Sequence, residues 1–174
     1  MLFNPNAHTS GPTRLTDKDV HAVIVRCDYR PDVTTPNVSN GKALQMYFGV
    51  VDESAKGIIL EKTFFIEGTK NDQAACNVLA SVCRTVDFTE PLTEDNIESW
   101  CANIASVSGP AKIVTEPDPR NSKYRRLLYV NNPEGCSREI RDELADDIEA
   151  MRAAAAKNAE RLALANGTQE DVAL

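Results

Sequence analysis

Histidine is nearly absent from this 174-residue chain, which holds only His8 and His21. No multi-histidine metal site can be built from two, and histidine-based catalysis has little to draw on. His21 is a candidate base, but its expected role is structural. Cysteine occurs five times, at Cys27, Cys76, Cys83, Cys101 and Cys136, with no Cys-x-x-Cys pair. An odd number without paired spacing gives neither a zinc ligand set nor a disulfide framework. Reduced thiols acting as small buried hydrophobes are expected. Apolar runs stop at four or five residues, too short to span a membrane. The opening Met1-Leu2-Phe3-Asn4-Pro5 lacks a basic stretch followed by an apolar one, so no secretory signal is read and the cytoplasm is the expected location. Net positive charge is lacking too. A formal charge of −7 excludes a uniformly basic, histone-like nucleic-acid binder, though not a local basic groove. No phosphate-binding Gly-x-x-x-x-Gly-Lys loop, His-Glu-x-x-His, Gly-x-Ser-x-Gly or dinucleotide fingerprint occurs. The paired acids Asp52-Glu53, Glu94-Asp95 and Asp146-Asp147 read as caps or solvated charge. The expectation is a protein that is not an enzyme and uses no cofactor or metal.

What is present suits one folded unit. Apolar residues make up 42% and charged residues 26%, and this length can bury a core without staples. Residues 1–17, with Pro5, Gly11 and Pro12, read as a loose N-terminal arm, 18–132 as the folded domain, and 133–174 as an acidic C-terminal helix and tail. A β segment is expected over 19–29, with Val23, Val25 and Cys27 on one side and Ala22, Ile24 and Arg26 on the other. Pro31, Pro36 and Asn40-Gly41 mark 30–42 as a long loop. Leu44, Met46, Phe48 and Val50 alternate with Gln45, Tyr47 and Gly49, the clearest strand pattern in the chain. A third strand is expected over 58–66. Asn71 or Asp72 could cap a helix over 72–86, and Thr93 a second one carrying Ile97, Trp100, Cys101 and Ile104. Strands at 110–116 and 124–130 flank a Pro117–Lys123 loop. A last helix from Ser137 to Ala165, stopped by Asn166-Gly167, carries an apolar stripe of Ile140, Leu144, Ile148, Met151, Ala155 and Leu162.

Three strands, helices, two strands and a terminal helix suggest a five-stranded, partly open barrel of the oligonucleotide-binding (OB) kind. Its helical crossover would lie between strands three and four, with a long C-terminal helix appended. An open α+β sheet is the alternative.

Charge is unevenly placed. Residues 1–132 hold 14 Lys and Arg against 16 Asp and Glu, whereas residues 133–174 hold 5 against 10. The densest basic–aromatic cluster is Lys123-Tyr124-Arg125-Arg126, followed by Tyr129. Lysine and arginine neutralise phosphates, and tyrosine stacks on unpaired bases. A second set, Arg30, Lys42, Tyr47 and Lys62, would join it if strands one to three are adjacent. On the last helix, Ile140, Leu144, Ile148 and Met151 are candidates for self-association into a homo-oligomer. The acids Asp142, Asp146, Asp147 and Glu149 could present a phosphate-like track to a protein.

The runs Val20-His21-Ala22-Val23-Ile24, Gly41-Lys42, Leu44-Gln45-Met46-Tyr47-Phe48-Gly49-Val50-Val51-Asp52, Lys56-Gly57, Asn71 and Leu79-Ala80-Ser81-Val82-Cys83 resemble a family of small phage-encoded proteins over about residues 19–131. That family lies near phage recombination and replication genes and is regarded as single-stranded-DNA-binding, with the OB fold. A longer loop between the first two strands and an appended acidic helix set this chain apart from it. The resemblance implies a non-enzymatic single-stranded-DNA-binding protein of low sequence specificity, acting in phage replication or recombination in the host cytoplasm. It supplies no catalytic residue. The acidic tail would then face a replication or recombination protein. The alternative is an acidic module that binds and inhibits a host nucleic-acid-binding system.

Overall fold

The structure is a computed structural model. It describes residues 1–8, 19–36, 38–53, 55–107, 111–131 and 143–172, without the side chains of 19, 107, 111–116, 118, 123–131 and 165–172. Five antiparallel strands, β1 (Asp19–Thr35), β2 (Val38–Val50), β3 (Ile59–Glu67), β4 (Ala111–Asp118) and β5 (Asn121–Asn131), lie in the order β3-β2-β1-β4-β5. Helices α1 (Asp72–Thr85) and α2 (Ile97–Val107) come between β3 and β4, and α3 (Ala145–Val172) closes the described chain.

The sheet is open, which corrects the expected barrel. Closure requires a ladder between the two edge strands. None joins β3 to β5 among the described residues, and α1 packs against both. The join between β1 and β4 is also short, running only from Asp19 opposite Val114 to Ala22 opposite Ala111. Beyond Ala22, β1 has no strand on that side among the described residues, and α2 packs along it instead.

The expected loop over 30–42 is mostly strand. β1 and β2 pair from Ala22 opposite Val50 out to Thr35 opposite Val38, with register shifts at Arg30/Val33 and Val33/Thr35. Bulges of this kind absorb a proline that cannot donate to a ladder, and Pro31 falls at one. Buried Val33 and Val38 hold the extension down, and Asn40 takes the positive φ of 50° that an asparagine tolerates.

Another shift, between Ile24 and Arg26, resets the alternation of β1. Cys27 therefore packs with Ala22 and Ile24, while Val23 and Val25 stand on the opposite face. The first face carries Leu44, Met46, Phe48, Phe64 and Ile66 and is covered by Leu79, Cys83, Trp100 and Ile104 from α1 and α2. Each large side chain so buried contributes about 1.5–3 kcal/mol. Trp100 meets Phe88 edge to face at 5.3 Å and donates its Nε1–H to the Glu90 carbonyl at 2.7 Å. Asn71, one of the two expected caps, accepts the Ala74 amide at 3.3 Å. Just before the second helix, Asn96 Oδ1 accepts the Thr93 amide at 2.8 Å.

Both ends of the chain belong to the packed unit. Phe3, expected in a loose arm, is 2% exposed and forms a bridge with Leu92. Arg84 donates to the carbonyls of Pro5 and His8, at 2.6 and 2.9 Å. α3 lies on the second face of the sheet, with Ile148, Met151 and Ala155 buried against Val23, Val25 and Tyr47. It continues through Asn166 and Gly167, the expected stop, and the expected start at Ser137 lies outside the described residues.

Candidate functional site

The residues expected to converge on one wall divide between the two faces of the sheet and the β4–β5 hairpin, whose outer strand also approaches β3. Tyr47 is 2% exposed, under α3. Burial first, and then the anions Glu61 and Asp28, pushes its phenol up to about 12, with Arg26 and Arg30 opposing. No base can stack on a ring that α3 covers. Arg30, half-buried opposite Ala43, lies on that same face. Around it the face is a mixed-charge ledge in which Arg26 donates its Nε–H to Asp28 at 2.9 Å. That bond, ahead of any other influence, raises Arg26 above its ordinary value.

Lys42 makes a cross-strand ion pair with Glu67 at 2.7 Å, which raises its ammonium above the usual range. Lys62 stands opposite Met46, among the residues of the first face, and is half-buried. Arg30, Lys42, Tyr47 and Lys62 therefore do not make one surface.

Lys123, Tyr124, Arg125, Arg126 and Tyr129 lie along β5, and their side chains are outside the described set. Arg125 pairs with Pro117, Arg126 with Glu116 and Tyr129 with Val114. In hydrogen-bonding order β1 and β4 intervene between this strand and β2. The β4–β5 hairpin carries 5 Lys and Arg (Lys112, Arg120, Lys123, Arg125 and Arg126) against Glu116 and Asp118. In a chain of charge −7, that makes it a local basic element. α3, with its acids, packs on β1, β2 and β3.

The middle of the apolar stripe of the last helix is covered within the chain, while Leu162 is exposed. Ile148 is 5% and Met151 3% exposed, and Leu144 packs partly buried on the same cluster. Ile148 and Met151 cannot serve self-association while α3 is docked, and Ile140 lies outside the described residues. Among the acids of the alternative reading, Asp147 pairs with Lys56 at 2.9 Å and Glu149 with Arg152 at 3.1 Å, while Asp146 is exposed. Asp142 lies outside the described residues.

Sequence reasoning missed two arrangements. Asp52 accepts the His21 amide at 2.6 Å through Oδ2, and its Oδ1 lies 3.0 Å from His21 Nδ1. This fork ties the start of β1 to the turn after β2, consistent with a structural histidine. The second is a groove of about 520 Å³ between β1, α2 and α3. Val25, Cys27, Ile97, Cys101, Ala102 and Ala105 give it an apolar floor, and Arg26, Asp28, Glu98 and Arg152 give it a charged rim. Arg152 donates to the carbonyls of Val25 and Ala105, at 3.3 and 3.2 Å. No local spacing announces this groove, because β1 and α2 are far apart in the chain.

Cys27, Cys76, Cys83 and Cys101 are free and buried, as expected of reduced thiols, and Cys136 lies outside the described residues. Among the described residues no three His, Cys, Asp or Glu side chains are grouped to hold a metal ion. No helix of the described residues is long and apolar enough to cross a membrane. No protein-family model, curated protein or solved structure matches the chain, so its resemblance to the phage family rests on the residues quoted for it.

Proposed function

We propose that the chain binds single-stranded DNA without catalysis and with little sequence preference, through the β4–β5 hairpin, in phage replication or recombination. The observation that carries this reading is the charge contrast: 5 cations against 2 acids on one hairpin of a chain at −7. A strand at the end of an open sheet can lie against an extended polynucleotide along its length. Lys123, Arg125 and Arg126 are the phosphate contacts of this reading, and Tyr124 and Tyr129 its stacking side chains, each stacked base being worth about 1–3 kcal/mol. The phage-family resemblance agrees with it. Lys42 and Tyr47 drop out of the contact set, the first paired to Glu67 and the second covered by α3.

The test is a fluorescence-anisotropy titration of a labelled oligothymidylate at low and moderate salt. Saturable binding at micromolar protein that weakens steeply with salt supports the reading. No binding at low salt removes it. Capture of a basic host protein in its place supports the acidic-module alternative.

A further inference from the structure

The last turn of α1 carries an arginine whose donors the fold satisfies only in part. Arg84 sets its guanidinium against the N-terminal turn, where Nη1 donates to the carbonyls of Pro5 and His8, at 2.6 and 2.9 Å. Nε and Nη2 of the same group are closed to solvent and have no hydrogen-bond partner. Among the described residues no carboxylate stands within ion-pair distance of this cation.

Buried polar atoms are almost always partnered, so two orphans on one side chain call for a missing partner. A cation is the costlier case, because neither a hydrogen bond nor a counter-charge offsets its desolvation. The orphans also share a direction. Nε–H and the neighbouring Nη2–H leave one edge of the planar guanidinium side by side, and that fork matches two oxygens of a carboxylate or phosphoryl group. A single water offers the fork one oxygen and no charge.

The segment that Nη1 grips is anchored unevenly. Phe3 is buried and bridged to Leu92. Beyond Pro5, Asn6 and Ala7 are exposed, Asn6 Nδ2 donates to the Thr89 carbonyl at 3.3 Å, and His8 Nδ1 lies 3.1 Å from Gln73 Nε2. These side-chain contacts can part while Phe3 stays seated.

We propose that Arg84 is an oxyanion-binding site. A small anion enters by a local opening of residues 6–8, and Nε–H and Nη2–H hold two of its oxygens. Carboxylate and phosphoryl groups share this chemistry, and the two arms of the test tell them apart.

The experiment uses the full chain at fixed pH and ionic strength, with inorganic phosphate or acetate replacing chloride. Heteronuclear NMR follows the Arg84 Nε–H resonance, assigned through its own side-chain correlations. The expected result is a saturable shift of that resonance with at least one of the two anions, and a melting temperature that rises with the same anion. Arg84→Lys keeps the charge and loses the fork, so it should bind that anion about tenfold or more weakly. Lys123→Ala/Arg125→Ala/Arg126→Ala should leave the Arg84 shift in place, which separates this site from the DNA-binding reading. Should Arg84→Lys fail to fold, the wild-type resonance decides alone. A resonance that moves no more with phosphate or acetate than with chloride overturns the proposal. So does an Arg84→Lys chain that the anion stabilises as much as it does the wild type.

Discussion

Met151 of α3 occupies the space that a side chain on Gly49 of β2 would fill. An ideal Cβ on Gly49 falls 2.5 Å from Met151 Sδ and 3.1 Å from Val25 Cγ1. The missing side chain lets the helix settle directly on the strand. Gly49→Ala forces the buried thioether aside and should cost about 1–3 kcal/mol, read as a fall in the denaturation midpoint. In a Met151→Ala background, the same Gly49→Ala change should cost much less. Equal costs in the two backgrounds would show that the pair does not set the seating of α3.

Arg152 is the polar counterpart of that contact. Its guanidinium joins three elements, through the carbonyls of Val25 and Ala105 and the carboxylate of Glu149. Arg152→Ala leaves the two carbonyls without this donor and should destabilise by about 1–2 kcal/mol. Arg152→Lys should recover only part of the loss, since one ammonium cannot reproduce the planar fork. Urea melts of the two variants check the order.

Tyr47 supplies a pH signature. Its phenol is held up to about 12, against an ordinary value of about 10, so the folded state favours the protonated ring. This contribution is complete below the unfolded value. It is lost as pH rises from about 10 through the folded value near 12. Absorbance titration of the tyrosinates should show one ring ionising well above an ordinary tyrosine, and Tyr47→Phe should remove that late step. A late step that survives in Tyr47→Phe would assign it elsewhere.

The stripe on α3 makes a further prediction. Ile148 and Met151 are spent on the chain's own sheet. Light scattering on the full chain should therefore show no loss of an oligomer on Ile148→Ala or Met151→Ala, only a lower melting temperature. Conversion of a defined dimer to monomer by either change, with melting unaltered, would restore the self-association reading.

The alternation of Leu44, Met46, Phe48 and Val50 located β2 because a period of two is local information. The stripe Ile148, Met151 and Ala155 was legible as an apolar face for the same reason. A period says that a face must be covered, however, and not by what, so a second chain was an open reading until the sheet was seen beneath it. Gly49 was the readable clue, since a glycine inside a strand often marks a close approach. Phe3 was hidden among turn-forming neighbours, and its bridge to Leu92 is a long-range fact. Cys27 was assigned to the wrong face because the shift between Ile24 and Arg26 leaves no mark in the residue types. The barrel expectation failed for a related reason, because strand count and order do not reveal whether the outer strands pair.

The most direct measurement is the salt dependence of single-stranded-DNA affinity for the wild-type chain and for Lys123→Ala/Arg125→Ala/Arg126→Ala. Each phosphate contact contributes about 0.7 to the slope of log affinity against log salt. Three lost contacts should flatten the slope by about 2 and weaken binding most at low salt, with melting unchanged. A triple variant that binds with the wild-type affinity and slope would contradict the account.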